Sequence, residues 1–195
     1  MTVADDVERL KAEVCALHAE LIRWGLVVWT AGNVSARVPG ADLLVIKPSG
    51  VAYDALTPGH MVVTDLDGTL VPEFAAGTPA AALKPSSDTF AHAYVYRHRP
   101  DIGGVCHTHS TYATAWAARR EEVPCVLTMM GDEFGGPIPV GPFALIGDDS
   151  IGRGIVDTLA RSRSRAVLMA NHGVFTVGHT AEAAVKTAAM TEEVA

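Results

Sequence analysis

Basic charge, cysteine and long apolar runs are all scarce in this sequence, and each shortage closes off a class of function. Lysine and arginine number 15 against 22 aspartates and glutamates, a formal net charge of −7. That sign does not suit a general nucleic-acid or anionic-membrane partner, so any anion must be captured locally. The cysteines, Cys15, Cys106 and Cys125, lack metal-type spacing, and no charged-then-apolar leader opens the chain; a reduced, cytoplasmic protein is expected. No apolar run approaches the length that crosses a bilayer. Several motifs are missing as well. No G-x-G-x-x-G opens a helix, no Walker loop binds a nucleotide, and no H-E-x-x-H marks a zinc hydrolase. There is no internal repeat or linker, and no tyrosine follows Tyr112.

What is present is an alternation of helix-like and strand-like segments. At 195 residues and 49% apolar content, one domain spanning 1–195 is expected, with a core that needs no disulfides and enough apolar surface to suggest an oligomer. Val7, Leu10, Val14, Leu17 and Leu21 recur at helical spacing, with acids in the first turn and Gly25 as a stop. Strand-like runs follow in NVSARV, DLLVIKP and HMVVTDLDGTLV, the last with Asp67-Gly68 as a hairpin turn. SSDTFAHAYVYRHRP reads as a helix opened by serine, IGGVCHTH as a strand and STYATAWAARR as a helix. The stretch from Gly131 to Pro142 is rich in glycine and proline and reads as a loop. A helix after Gly147, the strands AVLMANHG and VFTVG, and an Ala-rich helix from Thr180 complete the chain. Hairpins at the start favour an α/β protein built as a three-layer α/β/α sandwich with a largely antiparallel central sheet, rather than a doubly wound fold.

Histidine is where chemistry concentrates. Side chains two apart on a strand share a face, so His107 and His109 in HTHS project together, about 6 to 7 Å apart at the backbone. They are either separate histidines bound to backbone carbonyls or two ligands of one ion. A third imidazole, His172 in ANHG at another strand end, favours the ion, because three neutral nitrogens with an open position are a catalytic zinc set. His18, His60, His92, His98 and His179 read as structural. Two acids qualify as catalytic partners: Asp88, at a helix start where a carboxylate also complements the dipole, and Asp132, in the Gly-flanked MMGDEFGG.

Three short segments share anion-binding chemistry. TAGNVS, KPSG and KPSSDT combine hydroxyls, small residues and exposed backbone N–H groups, and two carry lysine. Each alone is an ordinary turn or cap. Together, in an acidic chain without a nucleotide loop, they point to a small phosphorylated metabolite.

GNVS, KPSG, SSDT, HTHS and NHG, in that order from about Gly25 onward, give the sequence a resemblance to the class II aldolase/epimerase (adducin head) family. The resemblance implies a homotetramer with its active site between subunits. It implies that His107, His109 and His172 hold Zn2+ or another divalent ion, and that Thr30, Asn33, Ser49, Gly50, Ser86 and Ser87 hold a substrate phosphate. Aspartate rather than glutamate at Asp88, and Asp132 in the loop where the aldolases' tyrosine falls at Thr128, point to a sugar-phosphate epimerase of the L-ribulose-5-phosphate 4-epimerase kind. The alternatives are an L-fuculose-1-phosphate-type aldolase and, more remotely, a non-catalytic adducin-like assembly module. Both enzyme branches use a tyrosine from a C-terminal segment, which this sequence does not contain.

Overall fold

The computed structural model describes residues 2–195. A capping box at Thr2 and Asp5 starts α1 (Val3–Arg23), whose buried stripe is the one that the heptad-like spacing marks out, and Gly25 follows with a left-handed φ of 65°. The sheet is laid down by β1 (Asn33–Arg37), β2 (Leu43–Ile46) and β3 (Val62–Asp65), then β4 (Gly104–Thr108), β5 (Val140–Gly141), β6 (Ala166–Met169) and β7 (Gly173–Gly178). Its seven strands lie in the order β3-β2-β1-β4-β7-β6-β5. Every neighbouring pair is antiparallel except β5 with β6, so the sheet is mixed at that edge.

Period-two alternation divides the core. Val34, Ala36, Val45 and Cys106 point to one face, where α1 and α6 (Ala181–Val194) cover them. Leu44, Ile46, Val105, Val167, Phe175 and Val177 point to the other, under α2 (Thr89–His98) and α5 (Ser150–Leu159). A further cluster joins α3 (Thr111–Arg119) and α4 (Thr128–Phe134) to Ala166, Leu168 and Val174. The three-layer expectation holds.

Two local readings need correction. The segment around Asp132 is not a loop but helix α4: Met130 and Phe134, four apart, bury into the α3 cluster, and Gly135 ends the turn at φ 68°. Tertiary burial outweighs the loop signal of the glycines there. The helix after SSDT starts at Thr89 rather than at a serine cap, and Asp88 precedes it in an αR conformation with no side-chain capping bond. Its carboxylate is thereby released for other contacts.

Candidate functional site

Sheet register gathers the histidines. His107 on β4 lies opposite Asn33 on β1 and Phe175 on β7, so the three side chains share the α2 face. Phe175 stacks on the His107 ring at 4.0 Å and 13°. His109 follows just past the end of β4. His172 sits in the tight turn between β6 and β7, where Asn171 takes a left-handed φ of 58° and the His172 amide donates to Met169 O at 3.0 Å. Gly173 makes this convergence possible: a Cβ there would stand 2.7 Å from Thr108 O and 3.2 to 3.3 Å from the rings of His107 and His109. The glycine of NHG is required for close approach, since its φ is not in the left-handed region.

The rings lie 4.7 to 5.3 Å apart centre to centre, and one nitrogen of each comes within 4.8 Å of the others. His107 Nδ1 donates to Val174 O at 2.8 Å, which fixes the tautomer and turns Nε2 to within 2.9 Å of His109 Nε2. Two imidazole nitrogens at that distance need a proton or a cation between them. Metal–nitrogen arms of about 2.0–2.1 Å bridge the 2.9 Å gap between His107 and His109, and the backbone-anchored Nδ1 supplies the outer support common at metal sites. Burial pushes His107 down to about 3 and also lowers His109 and His172, so all three are neutral ligands near pH 7. The donor set fits a divalent ion.

Asp88 stands beside them, 6% exposed. Its Oδ2 accepts from Asn33 Nδ2 at 2.7 Å, and Asn33 Nδ2 also donates to Ser86 Oγ at 3.0 Å. Burial alone would raise this carboxyl, but His107, then His92, the Asn33 donor and His172 outweigh it and hold Asp88 below the usual carboxylate range. Oδ1 has no protein partner.

These groups line a polar cavity of about 250 Å³. All of Thr30, Asn33, Ser49, Gly50, Ser86 and Ser87 border it, as do Asp88 and the three histidines. KPSG and KPSS are zipped side by side: Ser49 N donates to Lys84 O at 2.9 Å and Ser86 N to Lys47 O at 3.1 Å. Those two amides are spent on the turns, whereas the hydroxyls of Ser49 and Ser87 and the amides of Gly50 and Ser87 make no bond to the described residues. Tyr53 pins the neighbouring loop by donating to Ala31 O and Gly32 O at 2.8 and 3.0 Å.

Lys47 is a wall residue that sequence reasoning noted only as part of KPSG. It is 2% exposed, faces only backbone carbonyls of Thr30 and Pro48 and the Tyr53 ring, and has no carboxylate partner. Its burial is what lowers its pKa. An uncompensated buried ammonium is costly unless an anion joins it. Asp132, by contrast, is exposed on α4 and does not border the cavity. A larger groove of about 530 Å³ beside Trp29 is mostly apolar and lacks a cluster of titratable groups. The clustered histidines and Asp88 line the smaller, polar cavity instead. Among the other histidines, His18, His98 and His179 bind backbone carbonyls and His60 binds Thr57.

Solved structures with this architecture share the same type of chemistry in their names. An L-fuculose 1-phosphate aldolase superposes with a TM-score of 0.84 at 27% identity, over 95% of this chain and 82% of that one. YgbL of Klebsiella pneumoniae, whose name leaves aldolase, epimerase and decarboxylase open, gives 0.80 at 27%, over 96% and 87%. The L-fuculose-1-phosphate aldolase of Thermus thermophilus gives 0.71 at 24%, over 95% and 91%, a likeness of fold. The family model for the class II aldolase and adducin N-terminal domain matches residues 12–195, and the chain belongs to that family.

Proposed function

We propose that this protein is a metal-dependent enzyme that breaks a carbon–carbon bond in a phosphorylated ketose by aldol chemistry. One observation carries the reading: a single cavity is lined by three clustered imidazoles and a buried carboxylate together with serine hydroxyls and Lys47. His107, His109 and His172 would hold a divalent ion, zinc by preference for three neutral nitrogens. Bound there, it supplies Lewis acidity to the charge that develops beside the carbonyl. The chain's own groups do the rest. Ser49, Ser86, Ser87, the Gly50 and Ser87 amides and Lys47 anchor the phosphate, with Thr30 and Asn33 closing the same wall. Asp88 Oδ1, without a protein partner, accepts the proton of the substrate hydroxyl as the bond breaks.

The fate of the aldehyde fragment separates two outcomes. Release makes an aldolase, and this is favoured by the exposed position of Asp132 outside the cavity of its own chain. Retention and re-addition make an epimerase, favoured by the short aspartate at Asp88; Asp132 would then act from a neighbouring subunit of a homotetramer. Trp29 and Val28, 87% and 71% exposed, support such an assembly. Zinc-loaded protein assayed on ketose 1-phosphates and ketulose 5-phosphates tests the proposal. Aldehyde released in equal amount to a three-carbon ketone phosphate, with Asp132→Asn fully active, identifies the aldolase. An inverted sugar phosphate, with Asp132→Asn slowed about a hundredfold, identifies the epimerase. No metal-dependent turnover of any sugar phosphate would remove both and favour an assembly module.

A further inference from the structure

Beneath the cavity lies a buried polar chain that the proposed chemistry leaves unused. Ser35 on β1 sends its hydroxyl to α2, where Oγ lies 2.7 Å from His92 Nδ1 and 2.8 Å from the Tyr96 hydroxyl. All three residues have no exposed surface. His92 is one helical turn from Asp88, on the same side of α2. His92 Nε2 and Asp88 Oδ1 are both buried without a protein partner. The two side chains are near enough that each shifts the ionisation of the other.

Proton accounting fixes the direction of this chain. Suppose His92 carried its proton on Nδ1. It would donate to Ser35, Ser35 would donate to Tyr96, and the phenolic proton would have no acceptor in a fully buried place. The bare lone pair of His92 Nε2 would meanwhile lie in the field of the Asp88 carboxylate. The reverse order removes the stranded phenol and turns a proton rather than a lone pair toward the Asp88 charge: Tyr96 donates to Ser35, Ser35 donates to His92 Nδ1, and the imidazole proton sits on Nε2, which has no partner within hydrogen-bond distance. Burial keeps the phenol protonated and the ring neutral, as this arrangement needs.

We infer that His92 is a positioning residue: the Tyr96–Ser35 relay holds it as the Nε2–H tautomer, and that N–H steadies the Asp88 carboxylate from beneath the three clustered histidines. Asn33 grips Oδ2 from β1 while His92 acts from α2, so the carboxylate is held between strand and helix. The relay fixes the ring through Nδ1, and Nε2–H acts on the Asp88 carboxylate through its charge rather than through a bond at hydrogen-bond distance. The kinetic consequence rests on the functional reading above; the tautomer does not.

Nitrogen NMR of zinc-loaded protein carrying ¹⁵N-histidine tests it directly. The His92 signals, assigned by their loss in His92→Gln, are expected to show a bare Nδ1 and a protonated Nε2. An Nδ1–H tautomer or a charged ring at neutral pH would overturn the inference. Ser35→Ala should release the tautomer into a mixture, and Tyr96→Phe, which removes only one hydroxyl, should do the same if Ser35→Ala fails to fold. Asp88→Asn should move the Nε2 signal, and an unmoved signal would overturn the part of the inference that links His92 to Asp88. In turnover, His92→Asn keeps the Ser35 contact but lacks the reach of Nε2, and kcat should fall about tenfold with KM and metal content unchanged. His92→Gln restores a distal N–H and should recover most of the loss. Equal losses in the two variants, or loss of metal instead of kcat, would make His92 merely structural. Absence of sugar-phosphate turnover in the unmodified protein would overturn the functional reading and leave the NMR arms to decide this one.

Discussion

The two faces of the central strands treat buried histidine in opposite ways. On the α1 face, His18 is 1% exposed and both ring nitrogens are occupied: Nδ1 donates to Val14 O at 2.6 Å, and Nε2 accepts from Val34 N at 3.0 Å. On the α2 face, His107 is equally buried but only Nδ1 is held by the backbone, at Val174 O, while Nε2 lies 2.9 Å from His109 Nε2 and borders a cavity. Burial depresses both to about 3. A shifted pKa therefore does not separate a structural histidine from a functional one in this protein. The nitrogen turned to the cavity does, together with a buried carboxylate oxygen without a protein partner and a buried ammonium without a carboxylate beside it.

The largest contrast should come from removing one histidine on each face. His172→Ala should abolish stoichiometric metal and reduce activity below detection while the thermal transition changes little, because this ring is half-exposed and makes no hydrogen bond to the core. His18→Ala should do the reverse. It strands the Val34 amide and the Val14 carbonyl and should cost about 2–4 kcal/mol in denaturant unfolding, with metal content per folded molecule intact. Metal loss in His18→Ala would erase the distinction between the faces.

Gly173→Ala tests whether close approach assembles the site. The added methyl meets Thr108 O and two of the rings, and should weaken metal binding at a stability cost of about 1–3 kcal/mol. An unchanged metal affinity by titration calorimetry would show that the turn can shift to make room.

The phosphate wall sharpens the same comparison on the cavity side. Lys47→Met should raise KM for phosphorylated substrate about tenfold to a hundredfold and Ser87→Ala about tenfold, as expected for hydrogen bonds to a charged group, with metal content unaltered in both. Equal kinetics on phosphorylated and dephosphorylated sugar would dissolve the cradle.

Acid should expose the α1 face more gently. The pKa of His18 is about 6.5 when unfolded and about 3 when folded, so the unfolded chain binds the extra proton between those values. Its contribution to stability is complete above pH 6.5 and is lost as pH falls from there toward 3, because a proton on Nε2 would oppose the Val34 amide. Urea unfolding of the metal-free His172→Ala protein across that range, compared with the same protein carrying His18→Gln, measures the difference. A parallel dependence in both would assign the acid sensitivity elsewhere.

Much of this was legible in one dimension. Helical spacing gave α1, and the strand ends gave His107 and His109 on one face, because side-chain direction follows from local backbone periodicity alone. The five short motifs carried the family resemblance. Lys47 and His92 were not legible as site residues, since a lysine in KPSG and a histidine in a helix are ordinary until burial and missing partners are known. The backbone around Asp132 was not legible either: glycines suggested a loop, whereas Met130 and Phe134 had a cluster to fill and the segment is helical.

Residue order alone determined which side chains alternate, which turns need glycine and which short segments present hydroxyls and amides, all consequences of steric rules within a few residues. Only the tertiary structure decided that β1, β4 and β7 lie side by side, bringing Asn33, His107 and Phe175 onto one face and the β6–β7 turn against His109. That arrangement depends on burying two apolar faces at once. Residues as distant as Asp88 and His172 meet because the packed sheet leaves them no other place.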